Sequence, residues 1–354
     1  MKKMTILVSA IVVTVLAMGA VAAEKPAKDG PAAEPSAELK LLYKFVGNWQ
    51  GSMIVHKTKQ NPNEIRSTDM LSCVRVLGGR FTMNKTVASD GRTGLHLTTY
   101  DMQRKCYRIW FFDSNGFVSE FQGKWDDETK IFTWRSTDKE NTTVTRSWYA
   151  DDNTAKWNSE AKDPDGEVMF RMEGKFTRVK QLPKRKPPPA DKPVKRSDEQ
   201  KVLDAFLGTW RSEQKVQQAP ATGEWKTTTT DLAYSRILGG KFVQERGKGT
   251  GADKTETLTM FTYDTQPKSY RLWWFSSTGQ TLEAAGKWDA ETKTITWRRV
   301  DNDAPKFTMT ARHRFANDNA IEWDVEAKDG KGKVTFRLDG KATRASQPTK
   351  KKGD

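Results

Sequence analysis

The chain has 354 residues, two cysteines and a formal net charge of +15. Much of the basic excess lies in a charged N-terminal segment, a central linker and a C-terminal tail, so the charge does not predict nucleic-acid binding. Neither cysteine belongs to a Cys-x-x-Cys spacing, which argues against a redox-active pair.

The N-terminus has the pattern of a secretory signal peptide. Two lysines precede an apolar run over Ile6–Met18, and small residues follow it. A retained membrane anchor is the alternative, but the run is shorter than the ~20 residues that a span needs. We predict a signal peptide over 1–23, cleaved near Ala22 or Ala23, then a disordered segment over 24–36. The mature protein is expected to be secreted or periplasmic, with no integral membrane span.

The rest of the chain contains two copies of one sequence pattern. The copies cover 37–179 and 198–345, and equivalent positions stay in register because length differences are small. Such a repeat predicts two tandem domains of one fold. The repeated elements include Gly47-Asn48-Trp49 with Gly208-Thr209-Trp210, Leu77-Gly78-Gly79 with Leu238-Gly239-Gly240, Tyr100-Asp101 with Tyr263-Asp264, and Gly123-Lys124-Trp125-Asp126 with Gly286-Lys287-Trp288-Asp289.

Each copy begins with a short helical pattern and continues with strand patterns only. Ser36 and Ser197 occupy N-cap positions, and Ser197 with Gln200 forms a capping box. Short runs rich in Val, Thr and aromatic residues follow, separated by turn signals such as Asp90-Gly91 and Asn115-Gly116. The pattern predicts an all-β domain, an antiparallel meander closed into a barrel or a sandwich.

The last strand of each copy alternates cleanly. Its apolar residues share one face with Arg178 in the first copy and with Arg344 in the second. An inward-facing arginine at this position needs an aromatic partner. We therefore predict that Arg178 stacks on Trp49 and Arg344 on Trp210, and that these pairs close the barrels.

The short helix, the Gly-x-Trp entry to the first strand and the basic residue on the last strand resemble the calycin superfamily of lipocalin-like barrels. More narrowly, the ordered elements quoted above resemble the DUF1579 family, whose function is uncharacterised. The resemblance covers both copies and implies two lipocalin-like antiparallel β-barrels with a ligand-binding habit, but no activity. The first copy lacks a counterpart of Trp225, so the barrel mouths are expected to differ.

Between the copies, the linker over 180–197 carries five prolines, seven basic residues and one acid. It is expected to be an extended spacer that is accessible to solvent. A basic disordered tail over 346–354 ends the chain. Weak association of these segments with an anionic envelope surface is a second interpretation.

The paired aromatic residues are the strongest candidates for a binding site. They either fill the barrel interiors or line a cavity for an apolar or amphipathic ligand. The adjacent paired arginines bind a ligand carboxylate if they face inward, and pair with acids across strands if they face outward. The candidate lining residues are Trp110, Tyr107, Arg108, Trp134, Trp157, Trp273, Tyr270, Arg271, Trp297 and Trp323.

The remaining reactive residues give weaker signals. No histidine among His56, His96 and His313 has a histidine counterpart in the other copy, which disfavours an inherited metal or haem site. His313 is interpreted as a partly exposed strand residue. Cys73 and Cys106 are candidates for a disulfide, since an exported protein folds in an oxidising compartment.

Two functions fit these observations. The first is an exported, monomeric protein that binds a small hydrophobic or amphipathic ligand inside one or both barrels. The alternative is a non-catalytic structural or interaction module of the cell envelope, with filled barrels. Neither a cofactor nor a bound metal is predicted, and an enzyme is disfavoured because no nucleophile–base or paired-carboxylate arrangement recurs in both copies.

Overall fold

The computed structural model describes residues 35–137, 142–183, 196–218, 225–250, 254–300 and 308–346. The predicted signal peptide, most of the segment 24–36, most of the linker and nearly all of the tail lie outside these ranges. The chain divides into two compact units, whose described residues lie within 34–194 and 195–354.

The first unit consists of one helix and ten strands. The helix α1 is Ala37–Tyr43. The strands are β1 Gly47–Val55, β2 Ile65–Val76, β3 Phe81–Ala88, β4 Thr93–Asp101, β5 Cys106–Asp113, β6 Val118–Asp126, β7 Ile131–Ser136, β8 Thr142–Asp151, β9 Thr154–Lys162 and β10 Val168–Val179.

The second unit repeats this arrangement. Its helix α2 is Asp198–Val202, and a 3₁₀ turn over Leu203–Phe206 extends it. The strands are β11 Gly208–Gln218, β12 Trp225–Ile237, β13 Phe242–Gly249, β14 Glu256–Asp264, β15 Ser269–Ser276, β16 Thr281–Asp289, β17 Thr294–Arg299, β18 Thr308–Asn317, β19 Ala320–Lys328 and β20 Val334–Ser346.

Both units are closed antiparallel barrels, which confirms the predicted all-β fold. Every strand pairs with the next one along the chain, and the first strand of each barrel also pairs with the last. The closing register places Trp49 opposite Arg178 and Trp210 opposite Arg344. Closure leaves no strand edge free in either barrel, so this sheet cannot extend by pairing with another strand.

The helices that precede the barrels form where the capping residues predict them. The Ser36 side chain accepts from the backbone N–H of Leu39. Ser197 and Gln200 form the complete capping box, with both reciprocal hydrogen bonds present. These bonds satisfy donors that a helix N-terminus leaves without partners.

Several repeated motifs form and stabilise the turns between strands. Asp101 accepts from the backbone N–H groups of Gln103 and Arg104, and Asp126 does the same for Glu128 and Thr129. The copy-two equivalents Asp264 and Asp289 make corresponding bonds to their own turns. The Tyr-Asp and Gly-Lys-Trp-Asp elements therefore shape hairpins.

The Leu-Gly-Gly element is a strained turn between the second and third strands of each barrel. Leu77, Gly78 and Gly79 all have positive φ, at 53°, 61° and 84°. Successive left-handed residues are tolerated chiefly by glycine, which explains why both copies keep the pair. The first-copy turn is held by a hydrogen bond from the Tyr43 hydroxyl to the Gly79 carbonyl at 2.5 Å.

The second barrel shows most clearly where the interior lies. One continuous cluster of buried apolar side chains receives residues from all ten strands and from the 3₁₀ turn. Phe206 enters from the turn end and packs on Phe261 and Phe315, with ring centroids 5.2 and 4.8 Å apart. This ring closes one end of the barrel, which we call the helix end.

Glycines on neighbouring strands make room for the largest rings. A Cβ at Gly123 would overlap the Trp134 ring, and one at Gly174 would lie 2.5 Å from the indole nitrogen of Trp157. Gly286 and Gly340 do the same for Trp297 and Trp323. The glycine of Gly-Lys-Trp-Asp is thus required by the tryptophan that lies across it.

Candidate functional site

The candidate site is a polar region inside the second barrel. Strand alternation directs Ser212 and Gln214 of β11, Thr230 of β12 and Glu245 of β13 to the same interior wall. These side chains are at most 5% exposed. A polar wall inside an otherwise aromatic and aliphatic core is unusual, because buried polar groups cost free energy unless they are paired.

This wall borders a small cavity of about 20 Å³. The cavity holds one water-sized group as it stands. Thr255 lies between β13 and β14, at the end of the barrel remote from the helix, and is partly exposed. The cavity is lined by Gln214, Thr230, Leu232, Tyr234, Glu245, Thr255, Thr257, His313 and Trp323.

His313 faces this cavity from β18, which corrects the expectation of a partly exposed strand residue. It is 7% exposed, and burial lowers its pKa to about 4. The indole N–H of Trp297 donates to Nδ1 of His313 at 2.9 Å. Because an indole nitrogen only donates, Nδ1 is the acceptor and the neutral imidazole carries its proton on Nε2.

Glu245 is the only carboxylate among the residues that line the cavity, and it is 4% exposed. Burial raises its pKa, although hydrogen bonds from Tyr234, Thr259 and Thr257 oppose the rise. The Thr259 hydroxyl donates to Oε1 of Glu245 at 3.1 Å. Ionisation of Glu245 is thus less favourable here than in water.

Three polar atoms around the cavity have no hydrogen-bond partner among the described residues. They are Oε1 of Gln214, Oγ1 of Thr230 and Nε1 of Trp323. The other end of the Gln214 amide donates to the Ser212 hydroxyl at 3.3 Å. The cavity therefore offers an acceptor on Gln214, a donor on Trp323 and a Thr230 hydroxyl that can do either.

The first barrel has different chemistry on the equivalent wall. Cys73, Asn84 and His96 form one row across β2, β3 and β4, where the second barrel has Tyr234, Glu245 and Thr259. Burial lowers the pKa of His96 to about 4, and its ring lies 4.3 Å from that of Phe111. Oδ1 of Asn84 has no hydrogen-bond partner within the described residues.

Four of the predicted lining residues face away from the interiors. Tyr107 and Tyr270 belong to the interior clusters. Because successive residues of a strand point to opposite faces, Arg108 and Arg271 face outward. Trp110 and Trp273 lie on the same face as these arginines. The prediction that these arginines and tryptophans line a ligand cavity is therefore wrong. The four residues are Arg108, Trp110, Arg271 and Trp273.

The two outward arginines pair with acids across strands. Arg108 donates to Glu120 at 2.7 Å, and its Cζ lies 4.5 Å from the Trp110 ring centroid. Arg271 pairs with Glu283 and lies over Trp273 in the same way, at 5.3 Å. Of the two interpretations given to these arginines, cross-strand pairing is the one that the structure contains.

The other predicted lining residues face inward but have different surroundings. Tyr107 packs on Trp134, and Tyr270 on Trp297, with ring centroids 6.3 and 6.5 Å apart. Trp157 lies across Gly174 in the first barrel. Of the ten, Trp323 alone lines the described cavity.

Both cysteines are free and buried, so the candidate disulfide is absent from the structure. Cys73 lies in β2 and Cys106 begins β5, with β3 and β4 between them. Three strand spacings of ~4.8 Å exceed the Cα separation of about 7 Å that a disulfide can span. Burial raises the pKa of Cys73 to about 12, and that of Cys106 also rises.

Sequence reasoning did not identify Gln214, Thr230 or Glu245. Their signal is present in the strand alternation, where each occupies an inward position that an apolar residue would normally fill. Comparing the two copies does not reveal this signal, because the first copy has Met53, Asp69 and Asn84 at the equivalent positions. Ser147 is likewise the counterpart of His313, and it accepts from the Trp134 indole at 3.2 Å.

The described residues contain no group of three or more His, Cys, Asp or Glu side chains placed to hold a metal ion. No helix in those residues is both long and apolar enough to cross a membrane.

The chain belongs to the DUF1579 family, described as a protein of unknown function, whose model matches residues 34–178 and 195–344. A comparison with curated proteins found no match.

The solved structures that match this chain share little sequence with it. A DUF3598-family protein of unknown function from Nostoc punctiforme has 10% identity and a TM-score of 0.27, covering 88% of this chain and 100% of its own. The S-type phycobiliprotein lyase CPES from Guillardia theta has 12% identity and a TM-score of 0.32, covering 43% and 95%. Rv2717c from M. tuberculosis has 12% identity and a TM-score of 0.33, covering 42% and 99%.

Proposed function

We propose that the protein binds a small amphipathic molecule inside its second barrel, and that the first barrel provides a related site. The observation that carries this proposal is the set of three buried polar atoms without partners around one cavity, on Gln214, Thr230 and Trp323. The proposal assigns binding rather than catalysis.

The energetic argument starts from the cost of such atoms. A buried donor or acceptor without a partner costs about 1–3 kcal/mol. Three such atoms in one place therefore cost a large fraction of the free energy of unfolding of a domain, which is about 5–15 kcal/mol. A ligand with a polar end would recover that free energy on binding, while Leu232 and the Trp323 ring would contact its apolar part.

The geometry supports entry at one end. Phe206 and its neighbouring rings fill the helix end. Thr255, at the opposite end, is the partly exposed member of the lining. A ligand would therefore approach past the connection between β13 and β14, and the apolar side chains there would have to move to admit more than one water-sized group.

A second function is favoured by the size of the cavity. About 20 Å³ is far below the 300–1,000 Å³ that is usual for a ligand pocket, and one continuous cluster of aromatic and aliphatic side chains lies inside the second barrel. A non-catalytic structural or interaction module of the cell envelope would need no more space than this. Export, by the N-terminal signal, belongs to both proposals, as do a monomeric state and weak contact of the basic linker with an anionic surface.

Native mass spectrometry of the mature protein from its own source distinguishes ligand binding from the structural or interaction module. Ligand binding predicts a defined non-covalent adduct, and the copy bound in the second barrel should be lost in Thr230→Leu, because the larger side chain fills the cavity. Thr227→Leu is the matched control, since Thr227 is exposed on the outward side of the same strand. An adduct with the same stoichiometry and affinity in Thr230→Leu would refute this site. A clean unliganded mass would favour the structural module.

A further inference from the structure

The polar atoms around the cavity also indicate what kind of group they recognise. We propose that the cavity selects an uncharged head group that both donates and accepts hydrogen bonds, such as a hydroxyl or a primary amide, and rejects carboxylates. This inference rests on the proposed function and names the ligand class for the same site.

The first step is the inventory of unsatisfied atoms. Gln214 Oε1 needs a donor and Trp323 Nε1–H needs an acceptor, while the Thr230 hydroxyl can donate or accept. A hydroxyl supplies both in one atom, and a primary amide supplies both in one planar group. An apolar ligand supplies neither, and an ionised carboxylate only accepts.

The second step is charge. None of the residues that line the cavity is a lysine or an arginine. Arg271, which the sequence offered as a carboxylate partner in the second barrel, lies on the outward face and pairs with Glu283. An ionised carboxylate would enter this cavity without a counter-ion and next to Glu245, and such burial is strongly unfavourable.

The third step concerns cations. Glu245 already accepts hydrogen bonds from Tyr234, Thr257 and Thr259. An ammonium head group would have to compete with these three donors for the carboxylate and would itself lose its hydration. The Glu245 side chain therefore has its hydrogen-bond partners within the protein. Gln214, Thr230 and Trp323 remain available to bind the ligand.

Three eight-carbon probes that differ only in the head group test the proposal at pH 7.5: 1-octanol, sodium octanoate and octylammonium chloride. Their affinities for the full mature protein are measured by titration calorimetry and tryptophan fluorescence. We expect 1-octanol to bind at least tenfold more tightly than either ion. Octanamide should bind about as tightly as 1-octanol.

Two conservative variants locate the selectivity. Gln214→Met introduces the residue that the first barrel has at this position, Met53, and Thr230→Val keeps the shape of threonine. Each should weaken 1-octanol binding at least fivefold without changing the weak binding of octanoate. Thr227→Val, on the outward side of the strand, should leave all affinities unchanged.

Several outcomes would overturn the inference. Octanoate or octylammonium binding as tightly as 1-octanol would show that the cavity does not exclude charge. Unchanged affinity in both Gln214→Met and Thr230→Val would show that the unpartnered atoms do not recognise the head group. If a charged probe binds and Thr230→Leu abolishes that binding, only the head-group assignment fails. If no probe binds and the native protein carries no adduct, the proposed function fails with it.

Discussion

The guanidinium of Arg178 lies over the indole ring of Trp49, with 4.2 Å between its Cζ and the ring centroid. The same side chain donates to the carbonyls of Lys44 and Val46, at 2.6 Å each. One residue of the last strand thus covers the buried tryptophan of the first strand and fixes the segment that follows α1. Arg344 repeats the arrangement over Trp210, at 4.0 Å, and bonds to the carbonyls of Ala205 and Leu207.

Replacing Arg178 by lysine should destabilise the first barrel by about 2–3 kcal/mol. Lysine keeps the charge but lacks the planar fork that stacks and donates to two carbonyls at once. Urea unfolding followed by hydrogen-exchange mass spectrometry measures each barrel separately. Arg171→Lys is the control, because Arg171 makes an exposed ion pair with Glu160. Equal loss of stability in both variants would refute the closing role.

The contact between Arg178 and Trp49 illustrates how much the sequence could predict. The fold followed from the repeat, the turn signals and strand alternation, because each of these has a local physical cause. Alternation in β10 assigned Arg178 to the apolar face without any knowledge of its partner. Ser197 with Gln200 likewise needed only the geometry of a helix N-terminus, which the residues themselves specify.

Gly174→Ala should destabilise the first barrel by about 1–3 kcal/mol, since a methyl group there would lie 2.5 Å from the Trp157 indole nitrogen. Chemical denaturation measures the loss. A double-mutant cycle with Trp157→Leu provides the control, because the smaller side chain removes the overlap and should recover part of the stability. Additive losses in the double variant would contradict close contact as the cause.

The candidate site could not be predicted in the same way. Arg108 and Trp110 share a face, but the sequence does not say whether that face is inside, since Tyr107 and Ile109 form an equally aromatic and apolar alternative. The structure decides through the interior cluster that Tyr107 joins. The cavity itself depends on residues from six strands of the second barrel, and only closure of the sheet brings them together.

The buried histidines should make the protein less stable in acid. The pKa of His313 in the folded state is about 4, below its ordinary value of 6.5, so the unfolded chain binds a proton that the folded chain does not. The stability of the second barrel should therefore be complete above pH 6.5 and fall by up to about 3 kcal/mol as the pH drops to 4. His96 has the same effect in the first barrel.

The measurement is the free energy of unfolding at several pH values between 4 and 7.5. His313→Ser introduces the residue of the first barrel, Ser147, which accepts the equivalent indole N–H. This variant should lose the part of the pH dependence of the second barrel that His313 contributes in that window. His56→Ser is the control, because His56 faces outward beside Glu173. An unchanged slope in His313→Ser would show that this histidine is protonated when folded.

Gln214→Met should stabilise the unliganded second barrel by about 1 kcal/mol. The amide oxygen of Gln214 lacks a hydrogen-bond partner among the described residues, so replacing it by a thioether removes a desolvation cost at little change in volume. Thermal and urea unfolding of the ligand-free protein measure the change. Gln217→Met on the same strand is the comparison, since Gln217 is also buried but does not line the cavity. A gain of stability together with weaker 1-octanol binding would mean that Gln214 contributes to ligand binding and lowers the stability of the unliganded barrel. A loss of stability would instead assign Gln214 to a structural network in which its amide is satisfied.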